Sequence, residues 1–168
     1  MRIESFLRLS PVFQISVSAR RLDGCLTRIL RAEEVTFLEA LMLAAIFFEK
    51  KRGVKPSELA KTLQTTRGNV SHCLSSLEAK GLVRRRIDPE DSRGFRLTLL
   101  PAGRKRAARV VGILDRMQGQ FEGMMRISGI EAMLREIFIV ESLSAELARS
   151  AVEVNQRAKS QPEKKPEE

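Results

Sequence analysis

Apolar residues recur at helical spacing along almost the whole chain, with one short interruption that alternates like strand. Ser10 followed by Pro11 reads as an N-cap with proline at the first helical position, and Val12, Ile15, Ala19, Leu22, Leu26 and Ile29 follow at intervals of three and four. This predicts a helix over residues 11–31 with a narrow apolar seam, suited to packing on another long helix of this chain or of a second copy. Residues 1–9 fit no pattern. Thr36 and Glu39 form a capping box ahead of "FLEALMLAAIFF", Phe37 to Phe48, a helix apolar on nearly every side and therefore central, which closes near Gly53.

"PSELAKTL", Pro56 to Leu63, gives a two-turn amphipathic helix through Leu59, Ala60 and Leu63. Gln64 to Thr66 separate it from a second helix whose Val70, Cys73, Leu74 and Leu77 fall at i, i+3, i+4 and i+7, ended by Gly81. Two short helices across a tight turn predict a helix-turn-helix. Strand-like runs, Leu82 to Ile87 and Phe95 to Leu100, then flank the turn-forming "DPEDSRG" and predict a two-stranded hairpin, or wing. Beyond it, Val110, Ile113, Leu114, Met117, Phe121 and Met124 stripe one more helix. Ser128 with Glu131 caps a last one carrying Ile130, Leu134, Ile137, Val140, Leu143 and Leu147.

The pattern defines a mainly α fold with a small β-wing: a winged helix-turn-helix over residues 35–103, flanked by long N- and C-terminal helices, 1–34 and 104–157, that form a dimerisation region. The outer seams exceed what one small core covers, and a symmetric homodimer would cover them. Residues 158–168, ending "KSQPEKKPEE", have no apolar stripe and are expected to be a disordered tail.

Composition narrows the function. The formal charge of +9 and isoelectric point near 10.2 point to a polyanion or an anionic membrane surface. The charge is localised: between Arg84 and Arg109, nine Lys or Arg stand against three acids, a surplus of +6. The longest apolar run is far shorter than the roughly 20 residues that span a bilayer, so no membrane role is expected. No secretory start opens the chain, and two cysteines without framework spacing fit a reducing compartment, so the expected location is cytoplasmic. One His and two Cys make no ordinary zinc site and no nucleophile constellation. No catalytic residue, metal or cofactor is therefore expected.

With Val70, Cys73, Leu74 and Leu77 inward, the opposite side of the second helix consists of Gly68, His72, Ser75 and Ser76, flanked by Asn69 and Ser71. A solvated helix face is usually rich in Lys and Glu. Small and flat residues instead admit a helix to the major groove of DNA, where Asn and Ser hydrogen-bond base edges. Thr65, Thr66 and Arg67 crowd the helix N-terminus, whose N–H groups and dipole favour phosphate, although Thr66 also has a plain capping role there.

The stretch "KPSELAKTLQTTRGNVSHCLSSLEAKGLVRRRIDPEDSRGFRLTLLPAGR" resembles the winged helix-turn-helix core of the MarR family of bacterial transcription regulators, over roughly residues 35–110. "PSELA", "LEAKGLV", the "DPED-x-R" wing and Gly103 carry the resemblance together. It implies a homodimer that binds a pseudo-palindromic operator in double-stranded DNA, usually as a repressor, often released by a small phenolic effector or an oxidant. It places Arg67, Asn69, Ser71 and His72 at recognition-helix contacts and Arg93 in the minor groove, with Asp91 positioning it. The candidate DNA contacts are thus Thr65, Thr66, Arg67, Gly68, Asn69, Ser71, His72, Ser75, Arg86, Asp91, Arg93 and Arg96.

The sequence departs from the family pattern at Lys55, where Ser or Thr is usual, at Gln64 in place of a turn glycine, at His72 in place of Arg, and at Leu100 in place of Thr. The redox branch of the family activates a cysteine with tyrosines. Cys25 is roughly in place, but the chain has no Tyr. An effector site would lie between helices 11–31, 37–50 and the wing, where Met42, Phe47 and Phe48 line a pocket or fill the core. Besides a Cys-based regulator, the alternative is a winged-helix module whose wing binds an acidic protein.

Overall fold

The computed structural model describes residues 3–49, 53–89 and 91–160, with the backbone alone for residues 91–93 and 154–160. The elements run α1 (Ile3–Leu9), α2 (Pro11–Ile29), a single 3-10 turn (Arg31–Glu33), α3 (Phe37–Phe48), α4 (Pro56–Thr62), α5 (Arg67–Ala79), β1 (Val83–Asp88), β2 (Asp91–Leu99) and α6 (Pro101–Ser160). The N-terminal stretch without a sequence pattern is thus α1. Among the described residues, no helix is long and apolar enough to cross a membrane.

Among the described residues two compact units emerge, one within residues 19–121 and one of residues 3–18 with 122–160. The first holds the hydrophobic core. Ala40, Met42, Leu43 and Ile46 of α3, Leu59 and Ala60 of α4, Val70, Cys73, Leu74 and Leu77 of α5, Val83 of β1 and Leu97 of β2 are all buried in it. So are Ala107 and Val110, which assigns the first turns of α6 to this core, where the seam alone suggested a dimerisation helix from residue 104 onward. The inward face expected of α5 is the one observed. Met42 is core and Phe47 packs against it, whereas Phe48, the last residue of α3, is 63% exposed.

The termini of these helices follow from their sequence. Thr36 accepts from the Glu39 amide (3.3 Å) and the Glu39 carboxylate accepts from the Thr36 amide (2.8 Å), the expected capping box. α5 ends in a Schellman motif: Gly81, at φ 66°, donates to Glu78 O, and Leu82 donates to Leu77 O, while Leu77 and Leu82 are both buried. β1 and β2 form the predicted antiparallel hairpin with Val83 opposite Leu99 and Ile87 opposite Phe95, and an irregularity between Ile87 and Asp88. Val54 adds a third short rung by exchanging backbone bonds with Leu97.

In α6 the helical backbone breaks at Arg126 (φ 58°, ψ 157°), two residues before the Ser128 cap expected from sequence. The helix runs to Ser160, three residues into the stretch expected to be disordered, and residues 161–168 lie outside the described residues. No residue of α2 is buried. Val12, Leu22 and Ile29 of its seam are at least half exposed, as are Met124, Ile127, Leu134, Phe138, Ile139, Leu143 and Leu147 of α6.

Candidate nucleic-acid interface

α4, the turn and α5 meet at Gln64, which holds a left-handed backbone (φ 47°) where glycine would be relaxed. Its amide donates to Lys61 O and the next, Thr65, to Ala60 O, closing α4. Replacing Gln64 with Gly trades relief of this strain against a more flexible unfolded chain, so we expect a net gain of a few tenths to about 1 kcal/mol in urea unfolding.

The exposed polar face of α5 begins at Thr66. Its hydroxyl accepts from the Asn69 amide at 3.1 Å, the N-cap bond. The Asn69 side-chain amide in turn donates to the Thr65 hydroxyl at 3.1 Å, which holds the Asn69 side chain on the exposed surface. Thr66, Arg67, Gly68, Asn69, Ser71, His72 and Ser75 are all exposed on one side of α5, and Thr65 is half-buried beneath them. The Ser75 hydroxyl donates to Ser71 O at 3.1 Å and keeps its lone pairs available as acceptors. Ser76 turns away from this face: it is half-buried and hydrogen-bonds the Glu39 carboxylate.

The wing is anchored by ion pairs no sequence pattern announces. Asp88, its side chain fully buried, lies 2.8 Å from Arg96 Nε and 2.9 Å from Lys55 Nζ. Lys55 is the N-cap of α4; lacking an acceptor, it cannot cap with its side chain, but its amide donates to Glu58 (2.9 Å) and its ammonium ties the helix start to the wing. Arg96 therefore departs from the expectation. Its side chain, 12% exposed, is held by Asp88 and braces the wing's base instead of facing outward. Arg85 packs its guanidinium over the Phe95 ring (4.7 Å to the centroid) and pairs with Glu78 of α5 at 3.0 Å. Arg86 is exposed on β1. Asp91 and Arg93 stand on β2, and their side chains lie outside the described residues.

α5 is also fastened at its far end. Lys80, its C-cap residue, donates to both Glu39 oxygens (3.0 Å each) and to Glu34 O (2.9 Å). Burial alone would raise the Glu39 pKa, but the Ser76 hydroxyl, the Thr36 amide and Lys80 outweigh it and hold the carboxyl below its ordinary value. Glu33, in the 3-10 turn, takes a two-pronged bond from Arg109 of α6 (2.8 Å from both Nε and Nη2), which likewise lowers its pKa. Burial pushes the Cys73 thiol up, while exposed Cys25 has Arg28 Nη2 at 3.2 Å from its sulfur.

A three-helix core, a helix-turn-helix within it and a two-stranded wing braced against α4 and α5 define a winged helix-turn-helix protein. Residues 34–94 match the model of the MarR family. No curated protein sequence matches the chain. Among solved structures, the chain is similar to S. aureus MepR in a complex with DNA, at 21% identity over 82% of this chain and 97% of that one, with a TM-score of 0.68. It is similar to the M. tuberculosis transcriptional regulator MOSR in complex with DNA, at 24% identity over 83% and 98% of the two chains, TM-score 0.64. The reduced form of MarR from E. coli matches at 21% identity over 77% and 96%, TM-score 0.59. At these identities the likeness is one of fold.

Proposed function

We propose that the chain is a dimeric, sequence-specific DNA-binding regulator, acting as a ligand-responsive repressor. The observation that carries this reading is the outer face of α5, small, polar and exposed from Thr66 to Ser75, beginning at a capped helix N-terminus. Such a face fits a major groove, with Thr65, Thr66, Arg67 and Gly68 against phosphate and Asn69, Ser71, His72 and Ser75 toward base edges. Arg93 is assigned from the sequence to the minor groove, where negative potential concentrates, and Asp91 to its orientation. MepR and MOSR, two of the proteins that share this fold, were each solved with DNA, which supports the same use of the fold here.

Dimerisation is proposed from the apolar side chains that α2 and α6 leave in solvent, from Val12 to Leu147. Sedimentation should find a dimer at micromolar concentration; a stable folded monomer would remove this part of the proposal.

Base-reading and backbone-reading residues should fail differently. Arg93→Ala should weaken binding to most duplexes and flatten the slope of log affinity against log salt by roughly 1 per subunit for each phosphate the arginine no longer neutralises. Asn69→Ala should leave that slope unchanged and relax preference at one or two positions per half-site, at about 1–3 kcal/mol each. Titrations against operator and scrambled duplex at several salt concentrations check both. A wing that binds an acidic protein instead would leave DNA affinity and slope intact in Arg93→Ala.

A further inference from the structure

The face of the wing turned away from Phe95 carries more positive charge than the fold uses. Arg84 and Arg86 stand two residues apart on β1, so their side chains leave the same face. Arg84 lies opposite Thr98, and Arg86 opposite Arg96, a like-charge pair across the strands, and Arg96 is already engaged by Asp88. Arg104, in the first turn of α6, joins them. The three arginines, Thr98, Gly53 and Glu49 line one recess of about 220 Å³ between the end of α3, the wing and the start of α6. None of the three arginines pairs with a carboxylate among the described residues, and Glu49 is the sole acid lining the recess. The Thr98 hydroxyl is buried and has no hydrogen-bond partner there.

Like charges gathered in a concave site repel one another and focus a positive potential, even with all three side chains exposed. An unpartnered buried hydroxyl is costly in its own right and is uncommon in folded proteins. A single bound anion rich in acceptors relieves the repulsion, and it takes the hydroxyl's hydrogen bond once the Thr98 side chain turns that oxygen, closed off from solvent as it stands, toward the recess it lines. We infer that this recess is a binding site for one small free oxyanion of phosphate size, with Arg84, Arg86 and Arg104 supplying charge and forked donors and Thr98 a hydroxyl donor. The site lies apart from the α5 surface and does not require that the protein bind DNA. The recess is set back among three elements, which suits a free ion better than a phosphate fixed on a duplex.

The test uses the whole protein without DNA. Sodium phosphate, titrated against sodium chloride at matched ionic strength, should raise the melting temperature saturably, with isothermal calorimetry giving one site per chain. Arg84→Gln combined with Arg104→Gln should weaken phosphate binding at least tenfold. Thr98→Val keeps the shape and removes only the donor, so it should weaken binding several-fold while leaving the protein without phosphate as stable as the parent or slightly more so. A phosphate effect no larger than that of chloride would overturn the inference, as would equal binding by the double variant. In a second arm duplex DNA is added to the phosphate-loaded protein. Retention of phosphate supports a separate site, and stoichiometric displacement would reassign the recess to the DNA backbone and end the free-ion reading.

Discussion

Gly103→Ala should destabilise the winged-helix core by on the order of 3–4 kcal/mol, and the effect should be visible as a lowered urea midpoint at unchanged slope. A Cβ at this position would overlap the Leu82 carbonyl oxygen and stand 2.7 Å from its carbon. Neither atom can yield, because the same carbonyl accepts the Leu100 amide at 2.9 Å and the Leu82 amide completes the Schellman cap of α5. The start of α6 would have to move instead. Gly103 shares its helix face with Ala107 and Val110 at i+4 and i+7, both fully buried, so the shift would lift these two from the core. Gly112→Ala is the control. Its Cβ would meet only the end of the Arg116 side chain at 3.5 Å, and it should be stabilising by about 0.5–1 kcal/mol through helix propensity.

Glu39→Ala should cost about 3–5 kcal/mol, because it strips the Thr36 amide, the Ser76 hydroxyl and the Lys80 ammonium of a common partner. The loss reaches function through geometry. Glu39 joins the N-terminus of α3 to the C-cap of α5, so its removal frees the orientation of α5 and, with α5 entering DNA as proposed, should lower DNA affinity as well as stability. The pH dependence carries a definite sign. Folding depresses the Glu39 pKa, so the stability it contributes is fully present above the unfolded carboxyl value near 4.5 and is lost as pH falls through the lower folded value. Lys80→Met removes one of the groups that lower this pKa and should move the acid limb of the stability profile to higher pH. An acid limb at the same pH in both proteins would show that the Glu39–Lys80 pair does not set it.

The helix-turn-helix was legible because its signals are local. Val70, Cys73, Leu74 and Leu77 lie within two turns of one helix, and Thr36 with Glu39 within one, so periodicity and capping residues suffice to place them. The ion pairs that brace these elements were not legible. Glu39 and Lys80 are 41 residues apart and Glu33 and Arg109 are 76, and a single sequence holds nothing that couples positions so distant. Arg96 was misplaced for that reason: from the sequence it is one more cation in a basic wing, and only the fold brings the buried Asp88 carboxylate to it. Lys55 and Gln64 illustrate the converse. Both stand out as departures from the pattern the resemblance implies: Lys55 is accommodated by an ion pair to the wing, whereas Gln64 holds, under strain, the left-handed backbone that a glycine would adopt freely. The break in α6 was nearly legible, with the Ser128 cap two residues beyond Arg126, whereas α1 carries no stripe long enough to announce a helix.

If the exposed face of α5 reads DNA as one half of a symmetric pair, the bound sequence must carry the same symmetry. Selection of bound duplexes from a random pool reads that symmetry out. The expected product is an inverted repeat whose half-sites are centred about one helical turn, roughly 10 bp, apart. Enrichment of a sequence without inverted symmetry, or no enrichment over the starting pool at low salt, would contradict this use of α5.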